Sequence, residues 1–180
     1  MELFDKTISK KHIDYSEITS NCQKIAKSLN RSEISKSNNL VVIVVMNGGF
    51  FFSAELLKFI NNYFLFDYVQ TSRYKNNTQG GEIDLVREPV LDIFKKDVLL
   101  LDDIFDEGDT LDYLKNYFIS KNVSSFTSVT LLKKNKKRVI NIEPDYYCFD
   151  VDDKYFFGFG MDYKGFYRNY KIFITLNKKS

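Results

Sequence analysis

The sequence contains no tryptophan, one histidine, two prolines and two cysteines among its 180 residues. Cys22 and Cys148 provide neither a disulfide framework nor the ligand spacing of a zinc site, which favours a reducing cytoplasm. No apolar run approaches the roughly 20 residues of a membrane-spanning helix, and residues 1–12 lack the apolar segment of a signal peptide. A net charge of +2 is too small to argue for a nucleic-acid partner.

The length of 180 residues, with 44% hydrophobic and 28% charged residues, is typical of one globular domain. Apolar spacing predicts helices and strands in alternation, which favours a parallel sheet with right-handed crossovers. The predicted helices cover 15–29, 51–64 and 110–120. The predicted strands cover 40–46, 66–72, 97–101, 126–132, 146–149, 155–159 and 171–175, the last three as antiparallel additions. Polar loops are predicted over 32–39 and 75–82.

An acidic segment follows one of the buried strands. Residues 98–111 read VLLLDDIFDEGDTL, and Asp102 and Asp103 stand where the four-residue apolar run ends. An open α/β sheet binds its ligands beyond the carboxyl ends of its strands. Carboxylates at such an edge suit ribose hydroxyls or a metal ion.

The turn that follows has a different chemistry. Asp106 is followed by Gly108, and Thr110 opens a helical pattern. A glycine-bearing turn into a helix offers unpaired backbone N–H groups and the positive end of a helix dipole, which suit a phosphate. The sequence therefore predicts a sugar phosphate held by its diol at one end and its phosphate at the other. The alternatives are an ordinary strand–helix turn with acidic capping residues, or an acidic cluster like that of a receiver domain.

This segment resembles the phosphoribosyl pyrophosphate (PRPP) signature of type I phosphoribosyltransferases. The resemblance implies that Asp102 and Asp103 bind the ribose hydroxyls, directly or through Mg²⁺. It implies that Asp106 is the general base, and that the turn holds the 5-phosphate. The residues implied to bind PRPP are Asp102, Asp103, Asp106, Glu107, Gly108, Asp109 and Thr110. The side chains of Glu107 and Asp109 must then point away from the phosphate.

A second glycine-bearing loop, Met46-Asn47-Gly48-Gly49, follows another buried strand. It resembles the pyrophosphate loop of 6-oxopurine phosphoribosyltransferases, which commonly reads L-K-G-G and often has a strained peptide bond. Asn47 stands where many members have lysine, which removes one positive charge from the site. The resemblance implies pyrophosphate binding by Met46, Asn47, Gly48 and, further along the chain, Arg168. Without it, the two glycines only predict a tight turn.

Residues 154–168 read KYFFGFGMDYKGFYR and resemble the purine-binding segment of hypoxanthine-guanine phosphoribosyltransferases. The resemblance implies that Tyr155 stacks on the purine and that the backbone of Phe156 bonds its edge. It also implies that Asp162 helps to hold Mg²⁺ and that Arg168 pairs with pyrophosphate. The alternative for the aromatic residues is core packing.

Lys134 matches the family lysine that contacts the exocyclic O6 of the base. A cationic donor there favours a 6-oxo over a 6-amino purine, because an amino group would leave the ammonium unpaired. Lys133 is a competitor for this role, since only one of two adjacent strand residues can face a pocket. The alternative is that residues 133–138 form a solvated basic loop.

Ser72-Arg73-Tyr74 begins the polar loop at 75–82 and resembles the Ser-Tyr pair of a mobile loop that closes over the site in this family. Here an arginine stands between the two residues, which leaves the register of the loop open. A closing loop would exclude water from a reactive ribosyl cation. A surface loop without such a role fits the sequence equally well.

The resemblance implies one domain over 1–180 with the α/β type I phosphoribosyltransferase fold: a mainly parallel sheet flanked by helices, with a core at about 38–145 and a hood from about 1–37 and 146–180. It implies purine salvage with PRPP, hypoxanthine or guanine, IMP or GMP, and pyrophosphate. The implied metal is Mg²⁺, on Asp102, Asp103 and Asp162. A homodimer or homotetramer in the cytoplasm is expected, without membrane or nucleic-acid partners. A nucleotide-sensing regulator that binds nucleic acid, and a transferase for xanthine or another base, remain alternatives.

Overall fold

The computed structural model describes residues 8–73 and 83–176. The strands are β1 (Ile8–Ile13), β2 (Leu40–Met46), β3 (Leu65–Arg73), β4 (Ile83–Arg87), β5 (Asp97–Phe105), β6 (Ser125–Lys134), β7 (Tyr146–Val151), β8 (Phe156–Phe157) and β9 (Phe173–Leu176). The helices are α1 (Tyr15–Leu29), α2 (Gly49–Leu56) and α3 (Asp109–Ser120), with 3₁₀ helices at Glu33–Lys36 and Leu57–Phe59.

Six strands form the main sheet, in the order β4-β3-β2-β5-β6-β7. Every neighbouring pair is parallel except β3 and β4, which are antiparallel. The mainly parallel α/β sheet predicted from the alternation of elements is therefore confirmed.

The strand β2 is apolar on both sides because helices cover both faces of the sheet. Val42 and Val44 pack in one core cluster with residues of α1 and α2. Val41 and Ile43 alternate with them and pack in a second cluster with residues of α3. This alternation explains why the sequence of β2 is continuously hydrophobic instead of alternating with polar residues.

The position of the site follows from the strand order. The chain leaves β2 through α2 towards β3 on one side, and leaves β5 through α3 towards β6 on the other. Since α2 and α3 pack on opposite faces, the loops after β2 and β5 diverge and leave a crevice between them at the carboxyl edge.

A smaller antiparallel sheet, in the order β1-β9-β8, forms the hood. The predicted antiparallel placement of 146–149 is wrong: β7 covers Tyr146–Val151 and pairs parallel with β6 in the main sheet. We therefore draw the C-terminal boundary of the hood after β7 rather than at 146.

Several element boundaries depend on contacts that the sequence does not display. The helix predicted over 51–64 ends at Leu56 and continues only as a 3₁₀ turn. At the end of this 3₁₀ turn the Asn30 side chain donates to Phe59 O at 2.8 Å and accepts from Asn61 N at 3.0 Å, so a residue remote in sequence binds the backbone where helical structure ends. The strand predicted over 155–159 is shorter in the structure, where β8 covers only Phe156–Phe157.

Strands β1 and β4 were not predicted, because both have polar sequences (ISKKHI and IDLVR) and form by pairing with an existing sheet edge. The predicted loop at 75–82 lies outside the described residues. A 3₁₀ turn at Glu33–Lys36 lies within the predicted loop at 32–39.

Candidate active site

The acidic pair belongs to the interior of β5, not to its end as predicted, because the strand continues to Phe105. Asp102 is buried, and its Oδ1 accepts a hydrogen bond from Asp103 N at 2.9 Å. Burial, and next the charge of Asp103, raise the pKa of Asp102 well above its ordinary value. Burial also raises the pKa of Asp103, against a lowering contribution from Arg168. Within the described residues neither carboxylate forms a salt bridge.

Asp106, just past β5, is held between two ammonium groups. Lys134 Nζ lies 2.8 Å from its Oδ2, and Lys136 Nζ lies 2.8 Å from its Oδ1. Burial alone would raise the pKa of Asp106, but the hydrogen bonds from the two lysines outweigh it, and the pKa lies below its ordinary value. Asp106 is therefore ionised at neutral pH.

The other two carboxylates of the turn are also paired. Lys136 Nζ contacts Glu107 Oε1, and Arg73 Nη2 lies 3.2 Å from Asp109 Oδ2. Thus each acid from 106 to 109 has a basic partner from another part of the chain.

The turn ends at the N-terminus of α3, which begins at Asp109, one residue before the predicted start. Gly108 is the residue before the helix, with a left-handed φ of 97°, a conformation that favours glycine. The first backbone amides of α3 have no hydrogen-bond partner within the helix. They lie at the positive end of the helix dipole, as an anion site requires. Thr110 and Gly108 both line the adjoining cavity.

Three segments meet at Gly48, in the loop after β2. A Cβ on Gly48 would lie 1.8 Å from Asp103 Oδ2, so the carboxylate of β5 occupies the space that a side chain would need. A Cβ on Gly160, whose φ is 101°, would lie 2.1 Å from Gly48 O. The peptide bond between Met46 and Asn47 is cis. The β2 loop, the acidic pair and the hood segment therefore converge within van der Waals distance.

Two adjoining cavities open at this edge. A cavity of about 310 Å³ lies over the acidic strand and the turn, and its lining includes Arg73, Asp102, Asp103, Asp106, Glu107, Gly108 and Thr110. A second, of about 390 Å³, is lined by residues that include Asn47, Lys134, Tyr155, Phe156, Asp162 and Arg168. They share Met46, Gly48, Thr71, Asp103, Ile104 and Asp106. Most of the predicted site residues thus line one continuous crevice.

The structure shows which of the adjacent residues Lys133 and Lys134 faces the second cavity. Lys134 is buried and lines the second cavity. Lys133 points to the other side of β6, where its Nζ lies 2.7 Å from Glu143 Oε2 and 4.7 Å from the centroid of the Tyr147 ring. Strand alternation separates the two side chains as expected.

The predicted base pocket offers one exposed ring and one buried ring. Tyr155 is 50% exposed and its hydroxyl donates to Asp162 O at 2.8 Å. Phe156 is buried, so its side chain belongs to the core. The carboxylate of Asp162 accepts from Arg168 Nη2 at 2.6 Å and from Gly165 N at 2.7 Å.

The three carboxylates predicted to bind metal do not form a protein cage. In the described part of the chain, no three His, Cys, Asp or Glu side chains are close enough to hold an ion between them. Mg²⁺ is commonly held by one or two carboxylates together with waters and substrate phosphates. Asp103, which lines both cavities, and Asp162, at the second, fit that arrangement better than the complete set with buried Asp102.

Of the predicted closing segment, Arg73 lines the first cavity. Ser72 lines neither of the two cavities, whereas its neighbour Thr71 lines both, as strand alternation dictates. Tyr74 lies outside the described residues.

Two residues of the basic run were not predicted to take part. Besides Lys136, Arg138 packs against the acidic turn: its Nε donates to Asp106 O at 2.7 Å and its guanidinium lies 4.2 Å from the centroid of the Phe105 ring. Lys134, Lys136 and Arg138 alternate, so a period of two in the run was the available signal. The run is therefore not a solvated loop throughout, because Lys133, Lys134, Lys136 and Arg138 all contact carboxylates or carbonyls of this chain.

No helix in the described ranges 8–73 and 83–176 is long and apolar enough to cross a membrane.

The fold and the crevice define a class of protein. Residues 14–164 match the phosphoribosyl transferase domain family, which covers the main sheet, the acidic strand, the turn and most of the base segment. This is the class that the acidic motif resembled.

Individual relatives narrow the class. The chain is 33% identical over 168 residues to hypoxanthine-guanine phosphoribosyltransferases of Streptococcus thermophilus and Streptococcus pneumoniae, covering 93% of this chain and 92% of each relative. It is also similar to a crystal structure of a hypoxanthine-guanine phosphoribosyltransferase from Bacillus anthracis (TM-score 0.88, 28% identity, 94% of this chain and 99% of that one). A Trypanosoma cruzi hypoxanthine phosphoribosyltransferase variant, complexed with the product IMP, matches with a TM-score of 0.88 and 25% identity over 96% and 92% of the chains. The chain belongs to the hypoxanthine-guanine phosphoribosyltransferase family.

Proposed function

We propose that this protein is a purine salvage enzyme that transfers the ribosyl phosphate of PRPP to hypoxanthine or guanine, yielding IMP or GMP and pyrophosphate. The observation that carries the proposal is the convergence at Gly48. The loop after β2, the acidic strand β5 and the hood segment around Gly160 meet there at the carboxyl edge of the sheet. Each segment supplies what one part of the reaction needs.

The cavity over β5 suits the ribose phosphate. The amides at the start of α3 and the Thr110 hydroxyl would hold the 5-phosphate. Asp102 and Asp103 also line this cavity and would accept from the ribose hydroxyls, because within the described residues they form no salt bridge.

The leaving pyrophosphate would lie between the β2 loop and Arg168. The planar fork of an arginine matches phosphate oxygens in geometry and charge. Asp103 and Asp162 would hold Mg²⁺ beside it, and the bound ion would supply charge neutralisation of the leaving group. Asn47 is uncharged, so Arg168 would supply the positive charge beside the pyrophosphate.

The second cavity suits the base. The exposed ring of Tyr155 offers a stacking platform, and the backbone of Phe156 offers hydrogen bonds to the base edge. Lys134 donates to an oxygen on C6. A base with an amino group there would leave a buried ammonium facing a donor, which favours hypoxanthine and guanine over adenine.

Asp106 lies between the cavities, where base and ribose meet. As a purine nitrogen bonds to C1 of the ribose and the bond from C1 to pyrophosphate breaks, Asp106 would take the proton that leaves N7. Its lowered pKa keeps it ionised and ready to accept a hydrogen bond, while Lys134 and Lys136 fix its orientation. A positioned base is typically worth about 10²- to 10⁴-fold in rate.

The test is an assay of each purine base with PRPP and Mg²⁺, run for the wild type and for Asp106→Asn. We expect turnover of hypoxanthine and guanine, none of adenine, and a loss of kcat of about 10²- to 10⁴-fold in the variant. Asp153→Asn is the matched control, because Asp153 pairs with the same two lysines but lines neither cavity. Turnover of adenine, or equal losses in both variants, contradicts the assignment. PRPP binding without consumption of any base favours a regulator.

We also propose, as the resemblance to this family implies, that the enzyme works in the cytoplasm as a homodimer or homotetramer. Light scattering of the purified protein at its assay concentration measures the oligomeric state directly. A monomeric mass at full activity refutes the oligomer.

A further inference from the structure

The turn proposed to hold the 5-phosphate of PRPP has a charge problem. Glu107 and Asp109 flank Gly108, so two carboxylates stand beside the amides that would bind a phosphate dianion. Left uncompensated, each would repel the phosphate over several ångströms, since like charges at a protein surface interact appreciably within a Debye length.

The structure pairs each of these carboxylates with a cation from a strand or segment on either side of β5. Arg73, at the end of β3, lies 3.2 Å from Asp109, with the two side chains 47% and 35% exposed. Lys136, just beyond β6, contacts Glu107 and is only 16% exposed. Surface ion pairs of this kind contribute little to stability. We therefore consider their effect on the electrostatic potential at the turn.

The position of Arg73 limits how it can act. Its side chain lines the cavity beside Gly108 and Thr110, but its guanidinium is engaged by Asp109, which does not line that cavity. Lys136 lines neither cavity and is engaged by Asp106 and Glu107. Both cations therefore lie near the phosphate site while bound to its neighbouring acids.

We infer that Arg73 and Lys136 are positioning residues that neutralise Asp109 and Glu107, so that the turn presents backbone amides without net negative charge to the phosphate. This inference rests on the proposed binding of PRPP at the turn. It assigns a role to an arginine that the sequence placed only at the base of a closing loop, and to a lysine that the sequence placed in a basic run.

The inference makes the effect of Arg73 depend on Asp109. In Arg73→Met we expect the KM for PRPP to rise roughly three- to tenfold, with kcat affected less. Adding Asp109→Asn should bring the KM back to within about twofold of the wild type, because the charge that required compensation is gone. Lys136→Met should behave in the same way with Glu107→Gln, although its contact with Asp106 adds a change in kcat. Lys137→Met is the control, since Lys137 is an exposed neighbour of the same type.

The experiment is steady-state kinetics at low and high salt, with calorimetric titration of PRPP into the protein without base. Thermal unfolding of each variant verifies that it is folded. A KM that stays raised in the Arg73→Met, Asp109→Asn double variant means that Arg73 binds the phosphate directly, and overturns the inference. An unchanged KM in Arg73→Met also overturns it, while the wild-type activity leaves the proposed function intact. A wild type that binds no PRPP overturns the proposed function itself.

Discussion

The acids of β5 and the acids of the following turn are only a few residues apart, yet they have opposite surroundings. Asp102 is buried and Asp103 partly buried in the strand, with no ion pair among the described residues, and the pKa of each is raised, chiefly by burial. Asp106 in the turn is paired with two lysines and its pKa is lowered. A carboxylate without a partner can still take a cation or a hydroxyl. A paired carboxylate leaves its surroundings acceptable to an anion.

The unpaired acids of the strand and the paired acids of the turn suit the two ends of a sugar phosphate, its diol and its phosphate. The diol and the metal need oxygen acceptors that are not already bound to a cation, which the strand supplies. The phosphate needs donors, and the turn supplies amides while its own acids are neutralised by partners such as Lys136 and Arg73. In the proposed function, one short segment therefore serves both ends of the ligand, because tertiary contacts pair three of its five acids and leave two without an ion pair among the described residues.

The largest effect on the KM for PRPP is expected from removing an acid of the strand. Asp103→Asn should raise the KM for PRPP by about 10- to 100-fold, because Asp103 lines both cavities and its charge-assisted contacts with hydroxyls or Mg²⁺ are lost. The measurement is the KM for PRPP across a series of Mg²⁺ concentrations. Asp109→Asn, on the paired side, is the control and should not raise the KM. Equal increases in the KM for PRPP in both variants would contradict the distinction between the acids of the strand and those of the turn.

An intermediate effect is expected in the pH dependence of stability. A raised pKa means that the folded state keeps a proton which the unfolded state releases, so Asp102 lowers stability as the pH rises above about 4. Asp102→Asn should therefore be more stable than the wild type at neutral pH, by roughly 1 kcal/mol, with the gap closing at low pH. Urea unfolding in metal-free buffer between about pH 2.5 and 7.5 provides the measurement, because the change expected for Asp102 lies above about pH 4 and its disappearance must be followed below that pH.

Asp106 should give the opposite sign in the same experiment. Its lowered pKa contributes stability that is present above about pH 4 and is lost as the pH falls through the folded value. Asp106→Asn should therefore be less stable than the wild type at neutral pH and approach it in acid. The difference should be smaller than for Asp102, since Asp106 is partly exposed. If the difference in unfolding free energy between variant and wild type changed with pH in the same direction for Asp102→Asn and Asp106→Asn, the contrast between strand and turn would be contradicted.

The smallest effect is expected at the loop after β2. Asn47→Lys adds a cation to the second cavity, on the side of Arg168, and should lower the inhibition constant of pyrophosphate by roughly three- to tenfold. Product inhibition at two ionic strengths measures it, because salt should weaken the gain. An Asn47→Gln variant provides the uncharged control. A gain that is insensitive to salt would point to a steric cause.

The sequence predicted the strands and motifs more accurately than their ends. Strand β2 was predicted with its bounds because it is continuously apolar between a polar loop and two glycines. Strand β5 was predicted too short, because Asp102 and Asp103 look like the end of a strand until β6 is seen to pair with it as far as Phe105. The end of the helical segment at Phe59 was missed, because Asn30, remote in sequence, supplies the hydrogen bonds to the backbone there.

For the candidate site, the motifs indicated which residue types come together, and the sheet decided how they are paired. Adjacent Lys133 and Lys134 have the same chemistry, and only the orientation of β6 turns one to the crevice. The contacts of Lys136 and Arg138 were missed because the period of two in the basic run does not by itself show that its alternate residues meet the acidic turn.

By itself the sequence determined the alternation of helices and strands, the acidic strand with its phosphate-type turn, and the glycine loop after β2. These are local properties, since apolar spacing, turn residues and strand-end acids act within a few positions of the chain. Only the tertiary structure decided which acids are paired and which stay available for a ligand. The reason is that ion pairs such as Arg73–Asp109 and Lys136–Glu107 join residues far apart in sequence, and distance in space, which the fold sets, governs their energy.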